Sequence, residues 1–302
     1  MKHTDKITAV GQMQKHIVAN LGDVITLDDL SRAAGYSKFY AVRMFKELSG
    51  KSPYDYIRAL RLTRAAEDLR DDGGKIINAA FENGFDSHDG FTRAFTRQFG
   101  ITPKKYAIEK PPVPYFISHP VSAYYLFKSE ENFMQNEKVS RTVTVTAVER
   151  PVRKLLLQRA KKTSNGDYFA YCEEMGCDWE GLLNSIPEKF APAALLTLPQ
   201  NLVILGTSDT AAGVEVPADY EKPIPEGYDF IELPSCTMLF FQGMPFENEK
   251  DFGIAIGITW EAVDNYDPVR YGYTFAPELA PRFNFGASGK NGALQAIPVR
   301  TL

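Results

Sequence analysis

Two short segments of the chain, residues 38–46 and 87–97, concentrate basic, hydroxyl and aromatic side chains at helical spacing. The first contains Lys38, Phe39, Val42, Arg43 and Lys46, and the second contains Ser87, His88, Thr92, Arg93 and Arg97. Guanidinium and ammonium groups bind guanine edges or phosphates, and Phe39 or Val42 is able to contact a thymine methyl group. The sequence therefore predicts two helices that contact double-stranded DNA.

Each of these helices follows a short helix and a glycine turn, the order of a helix-turn-helix. Thr26 is placed to cap a helix over residues 27–34, Gly35 ends it, and Ser37 is placed to cap residues 38–48. The inward positions are apolar: Ala41, Met44, Phe45 and Leu48 in the first unit, and Phe91, Ala94, Phe95 and Phe99 in the second. Further helices are predicted around residues 7–21, 53–70, 76–82, 86–99 and from residue 102, with a break at residues 72–74.

The two units repeat at a constant spacing of 50 residues. Matched positions are Ser37 and Ser87, Arg43 and Arg93, Phe45 and Phe95, Gly50 and Gly100, Pro53 and Pro103, and Tyr56 and Tyr106. The alternative for one unit alone is a plain helical bundle with a solvated basic face. Two units that keep cap, basic, aromatic, glycine and proline positions together favour a duplicated DNA-binding unit instead.

Charge is distributed unevenly along the 302 residues, whose net charge is -4. Residues 1–110 contain 18 Lys and Arg against 14 Asp and Glu, and the remainder contains 16 against 24. The first part could attract a polyanion, whereas the second would repel one. The length predicts two or three domains, and the composition is that of an ordinary soluble protein. No apolar run is long enough for a membrane span, and no apolar signal core is present. With only three cysteines, we expect a cytoplasmic protein without a disulfide framework.

The first 108 residues resemble the DNA-binding domain of the AraC/XylS family. The resemblance rests on Ser37 to Lys46, Gly50 to Pro53 and Arg61-Leu62 in the first half, and on Gly84 to Phe95, Phe99 to Pro103 and Tyr106 in the second. It implies two helix-turn-helix units held apart by the long central helix, with both recognition helices in successive major grooves, and contact with RNA polymerase if the protein is an activator. Ala41 and Gly90 replace larger residues of the family pattern, and Gly90 is expected to loosen the second recognition helix.

Beyond a proline-rich linker over residues 109–140, the pattern changes to that of an α+β domain, residues 141–302. Strands are predicted at residues 142–148, 155–158, 202–205, 230–233, 237–242 and 293–299, and helices at 168–186 and 251–265. Residues 121–140 either extend the linker or start a strand. The order of elements suggests two related halves.

This half resembles the GyrI-like effector-binding domain, an arrangement found in Rob-type regulators. The matching stretches are residues 225–234, 260–263 and 296–299. The resemblance implies duplicated βαββ halves around a cleft that admits an apolar, often cationic, small molecule. Aromatic faces and a carboxylate suit a lipophilic cation, and the candidate ligand-binding residues are Tyr171, Trp179, Phe241, Trp260, Tyr273 and Glu278.

Two other functions of the second half stay open from the sequence. It could be a small hydrolase that uses Glu278 with Tyr171 or Tyr273, or a module that only binds protein. Cys172 and Cys177 on one helix would not share a face, and the histidines are scattered, so no metal site is predicted. No cofactor and no catalytic residue is predicted, and we expect a regulator rather than an enzyme.

Overall fold

The computed structural model describes residues 3–71, 76–85, 87–128, 139–248 and 251–302. The chain divides into a helical unit, Met1–Asn132, and a unit of helices and antiparallel strands, Phe133–Leu302. The second unit has the predicted α+β architecture and is called the α/β unit here for its mixed content. The predicted helix break at residues 72–74, Asp86 as a helix start, and residues 129–138 of the predicted linker lie outside the described residues. No helix in the described ranges is long and apolar enough to cross a membrane.

Eight helices are described in the first unit. They are α1 (His3–Ala19), α2 (Leu27–Ala34), α3 (Lys38–Ser49), α4 (Pro53–Asp71), α5 (Ile76–Glu82), α6 (His88–Phe99), α7 (Pro103–Glu109) and α8 (Val121–Lys128). The helices predicted for the first 108 residues are all present. Thr26 forms a capping box with Asp29 at the start of α2, and Ser87 and Thr102 cap α6 and α7. Ser37 precedes α3 as predicted, but within the described residues its side chain makes no capping hydrogen bond.

The helical unit has two hydrophobic cores, and α4 contributes to both. The first core joins α1, α2 and α3 to Tyr56 and Ile57 near the start of α4. The second joins α5, α6 and α7 to Leu62, Ala66 and Leu69 farther along α4. Each helix-turn-helix therefore packs around its own core at one end of a shared helix.

The described part of the predicted linker belongs to the helical unit. Val113, Tyr115 and Val121 are buried in its two cores, and the Phe116 N–H donates to Thr63 Oγ1 at 2.8 Å. Gln14, itself buried, accepts a hydrogen bond from the Val121 N–H at 2.9 Å and donates to the His119 carbonyl at 3.0 Å. Residues 121–128 form α8 and not a strand, so the expectation of an irregular linker or a strand is wrong there.

The second unit is a single antiparallel sheet with helices on one of its faces. Its strands are β1 (Val143–Arg150), β2 (Arg153–Arg159), β3 (Ala194–Thr197), β4 (Thr210–Pro217), β5 (Asp229–Leu233), β6 (Cys236–Gly243), β7 (Tyr273–Phe275), β8 (Arg282–Ser288) and β9 (Gly292–Thr301). Its helices are α9 (Tyr168–Met175), α10 (Asp178–Asn184) and α11 (Phe252–Asp264). The strand order is β1-β6-β9-β8-β3-β4-β2-β5, and β7 pairs with β9.

This order contains the same arrangement twice. One half runs β2, α9 and α10, β3, β4, and the other runs β6, α11, β8, β9. The two halves meet where β3 pairs with β8. Moving outward from this pair, β4, β2 and β5 follow β3 on one side, and β9, β6 and β1 follow β8 on the other. The sheet is thus an internal repeat around its central strand pair.

Two predicted elements of this unit are wrong. Residues 202–205 are not a strand: a short 3-10 helix, Gln200–Leu202, and a turn lie in the loop between β3 and β4, and Leu205 is fully exposed. The helix predicted over residues 168–186 is two helices, because Gly176 adopts a φ of 85° that ends α9. Cys172 consequently lies on α9, while Cys177 precedes α10. The pKa of Cys172 is raised mainly by a hydrogen bond with Cys177 and also by burial.

The sheet buries apolar side chains on both faces. One face carries the cluster that contains Leu157, Leu196, Met238 and Phe283. The other, here called the helix-bearing face, carries three clusters. One lies around α9 and α10 with Leu156 and Leu195, and two lie under α11, one with Leu239 and Ile297 and one with Ala255 and Ala293.

Candidate nucleic-acid interface and ligand-binding residues

The five candidate residues of α3 lie on the side of the helix away from the core. Ala41, Met44, Phe45 and Leu48 are buried as predicted. Lys38, Arg43 and Lys46 are exposed, Val42 is partly exposed, and Phe39 exposes 81% of its surface. An aromatic ring that the fold leaves in solvent at the start of a recognition helix is placed for contact with a base edge.

The basic residues of α3 differ in whether they already pair with another side chain of the protein. Lys38 Nζ forms an ion pair with Asp28 Oδ1 of α2 at 2.7 Å, with both side chains about half exposed, which joins the two helices of the unit. Within the described residues, the Arg43 side chain has no hydrogen-bond or ion-pair partner. Arg43 is therefore available for an external acceptor, whereas Lys38 would have to leave Asp28.

The candidates of α6 are arranged in the same way. Phe91, Phe95 and Phe99 are buried, and His88, Arg93 and Arg97 are exposed. Within the described part of the chain, the Arg93 side chain has no hydrogen-bond or ion-pair partner, as for its counterpart Arg43.

Two of the hydroxyl candidates are less available. Ser87 Oγ accepts the Gly90 N–H at 3.2 Å as the helix cap. Thr92 Oγ1 is buried and makes no hydrogen bond within the described ranges. Gly90 was expected to loosen this helix, but α6 is continuous from His88 to Phe99, and Gly90 sits in the capped first turn.

Arg61 of α4 links the two helix-turn-helix units. Its guanidinium donates to the Leu21 carbonyl at 3.0 Å and to the Asp23 carbonyl at 2.5 Å, after the end of α1. The same guanidinium lies against the glycine turn of the second unit, where a Cβ on Gly84 would be 2.9 Å from Arg61 Cζ. A 19-residue helix such as α4 is about 28 Å long, comparable with the ~34 Å repeat between successive major grooves.

The six candidate ligand-binding residues do not form one site. Tyr171 and Trp179 pack edge to face, with ring centroids 5.9 Å apart, in the core under α9 and α10. The Tyr171 hydroxyl donates to the Gln158 carbonyl at 2.8 Å, and burial raises the pKa of this tyrosine. Phe241 and Tyr273 belong to the separate core under α11. Trp260 is half-buried on α11, with its ring beside Arg282.

Glu278, the carboxylate predicted for the ligand site, does not lie in a pocket. It is exposed and forms an ion pair with Arg300, which is itself half exposed. Arg300 pairs with Thr274 in the sheet, so its side chain and that of Val299, which joins Tyr273 in the α11 core, point to opposite faces. The structure therefore does not bring Glu278 together with Tyr171 or Tyr273, the pairing required by the hydrolase alternative.

Arg282 was missed by the sequence reasoning. Its guanidinium carbon lies 4.3 Å from the centroid of the Trp260 ring. The available signal was an arginine next to Phe283 in an apolar strand, where one of the two must face the helices. Among the described residues, no group of three His, Cys, Asp or Glu side chains could hold a metal ion.

Comparisons with known proteins find similar sequences for the helical unit. A family model described as "Helix-turn-helix domain" matches residues 30–108. The Transposon Tn10 TetD protein of Escherichia coli is 40% identical over 103 residues, which are 34% of this chain and 75% of that protein. The Multiple antibiotic resistance protein MarA of E. coli is 32% identical over 123 residues, 41% of this chain and 96% of that protein.

A third relative, the Right origin-binding protein of E. coli, is 42% identical over 87 residues. These residues are 29% of this chain and 30% of that protein, so the likeness covers less than a third of either. The chain nevertheless spans most of the length of TetD and MarA, and its two capped helix-turn-helix units share one central helix. The chain belongs to the AraC/XylS family of DNA-binding transcriptional regulators.

Proposed function

We propose that the protein regulates transcription by placing α3 and α6 in successive major grooves of its operator, under the control of a small apolar effector bound by the α/β unit. The observation that carries the DNA-binding part is the equivalence of Arg43 and Arg93. Both are exposed, both occupy the same position of a duplicated unit, and neither side chain has a hydrogen-bond or ion-pair partner in the described residues.

The role proposed for each side chain depends on whether it already has a hydrogen-bond or ion-pair partner within the protein. Arg43 and Arg93 are the candidates for bidentate bonds to guanine, and Phe39 with Val42 is the candidate for thymine methyl contact. Lys46, Arg97 and His88 are exposed and suit phosphate contacts that set orientation without reading sequence. Ser87 and Thr92 are secondary candidates because their hydroxyl oxygens are capping or buried.

Effector binding by the α/β unit is supported by its repeated halves and by its resemblance to GyrI-like domains. On the helix-bearing face, α10 packs on β4 and α11 packs on β6, β8 and β9, so the junction of the two halves lies between the two packed helices. A pocket between symmetric halves is a common place for a small ligand. In an activator, ligand binding there would alter how the DNA-bound protein contacts RNA polymerase.

The test is selection of bound sites from random double-stranded DNA with the wild-type chain and with Arg43→Ala and Arg93→Ala. We expect each variant to lose base preference in one half of the site only, by about 1–3 kcal/mol at the affected base pair. Arg270→Ala is the matched control, because Arg270 is an exposed arginine of the α/β unit. Equal, sequence-independent losses in both variants would mean that these arginines only hold phosphate.

A further inference from the structure

The centre of the helix-bearing face carries polar side chains. Phe283 of β8 packs in the core of the opposite face, so its neighbours Arg282 and Asn284 point toward the helices. On β3, Leu196 packs in that same opposite core, so Leu195 and Thr197 also face the helices. Thr197 pairs with Arg282 and Leu195 with Asn284, which places these side chains in one strip at the junction of the two halves.

Arg282 is the charged group of this strip, and its guanidinium is incompletely bonded. Its Nε and Nη2 atoms are shielded from solvent and have no hydrogen-bond partner in the described part of the chain. Burial lowers the pKa of Arg282, and the charge of Asp264 acts in the opposite direction. Leaving donors of a charged group buried and unpaired costs several kcal/mol in general, so a fold that keeps this arrangement points to an external acceptor.

The two unpaired nitrogens define the shape of that acceptor. Nε–H and Nη2–H lie on the same edge of a guanidinium and point in parallel directions, which matches the two oxygens of a carboxylate. The Trp260 ring lies 4.3 Å from the guanidinium carbon and is half-buried on α11. Its indole therefore supplies an apolar surface next to the guanidinium.

A second unpaired group lies on the adjacent strand. Gln295 of β9 pairs with Asn284 in the sheet and donates from Nε2 to Asn284 Oδ1 at 3.1 Å. Its Oε1 atom is buried and accepts no hydrogen bond within the described ranges. The strip thus offers one unpaired acceptor on the strand next to that of Arg282, which suits a hydroxyl or N–H group on the ligand.

We infer that the effector is an apolar carboxylate, bound through the Nε and Nη2 edge of Arg282 with its apolar body against Trp260. This inference rests on the proposed effector site and reverses the charge that the sequence suggested for the ligand. The excess of acidic over basic residues after residue 110 opposes an anion at long range. Salt screens exposed charges beyond about 8–10 Å, so the direct bidentate bond decides the preference.

The test is calorimetric titration of the full chain with three molecules that share one apolar body: phenylbutyrate, phenylbutylamine and phenylbutanol. We expect phenylbutyrate to bind and phenylbutylamine not to bind. Arg282→Gln should weaken phenylbutyrate binding by about tenfold or more. Arg282→Lys should fall between wild type and Arg282→Gln, because lysine keeps the charge and loses the paired edge. Arg270→Gln, at an exposed arginine of the same unit, should bind as the wild type does.

The outcomes separate this inference from the proposed function. Binding of the amine or the alcohol that Arg282→Gln leaves unchanged would overturn the carboxylate assignment while an effector site remains. Phenylbutyrate binding that is equal in wild type and Arg282→Gln would do the same, and would mean that water alone pairs the guanidinium. If none of the three binds, both the carboxylate assignment and the proposed apolar effector site are wrong. Thermal unfolding of each variant shows whether it is folded.

Discussion

The glycine turns of the two helix-turn-helix units provide a matched pair of substitutions. Gly35 and Gly84 have φ values of 71° and 73°, and both are exposed. Each turn is closed by the same two backbone bonds, Gly35 N–H to Arg32 and Tyr36 N–H to Ser31 in one, and Gly84 N–H to Phe81 and Phe85 N–H to Ala80 in the other. Local geometry therefore does not distinguish the two positions.

Their surroundings do distinguish them. A Cβ on Gly35 would meet nothing within 4 Å, whereas a Cβ on Gly84 would lie 2.9 Å from Arg61 Cζ and Nη1. Gly35→Ala should cost about 1–2 kcal/mol, the penalty for alanine in the left-handed region. Gly84→Ala carries the same penalty and must also displace a guanidinium that makes two hydrogen bonds to backbone carbonyls. At about 1 kcal/mol for each partly exposed bond, the expected total is about 3–4 kcal/mol.

Urea unfolding of a fragment covering Met1–Asn132, followed by circular dichroism, measures both costs. The decisive comparison repeats the pair in an Arg61→Ala background, where the extra cost of Gly84→Ala should vanish. Equal costs for the two glycines in the wild-type fragment would mean that the Arg61 guanidinium does not constrain the second turn. So would a difference that survives the removal of Arg61.

Three further predictions concern buried charge and domain limits. Glu215→Gln should destabilise the α/β unit by about 3 kcal/mol in urea, because Glu215 is the buried partner of fully buried Arg153 and of Arg150; exposed Glu232→Gln is the control, and equal effects would contradict it. Arg282→Met should raise the melting temperature of the ligand-free chain, since it removes an incompletely paired charge; a lower melting temperature would mean that the guanidinium is well satisfied. A fragment ending at residue 110 should unfold at lower urea than one ending at residue 128, which retains buried Val113, Tyr115 and Val121; equal midpoints would mean that this segment adds nothing.

The helical unit was predictable because its signals are local. Each signal acts over a few residues: caps such as Thr26 and Ser87, glycines at positive φ, and prolines in first turns. Because the unit is duplicated, the same signals occur at equivalent positions in both copies, which supports each assignment. The docking of residues 110–128 was not predictable, because it depends on Gln14 and Thr63, which are distant in sequence.

The α/β unit was less predictable for physical reasons. Thr210–Pro217, the strand β4, is buried along nearly its whole length, so it lacks the alternation of apolar and polar residues that marks a half-exposed strand. The apolar residues 202–205 have strand-like composition but lie in a hairpin loop. The position of Arg282 beside Trp260 depends on how α11 packs on β8, which the sequence alone does not specify.

We expect the two helix-turn-helix units of one chain to occupy two major grooves of the same DNA. Methylation interference on the selected operator tests it most directly, because methylation of guanine N7 reports major-groove contact. Two clusters of interfering guanines should appear about 10 base pairs apart, one lost in Arg43→Ala and the other in Arg93→Ala. A single cluster, or two clusters that both variants weaken equally, would contradict it.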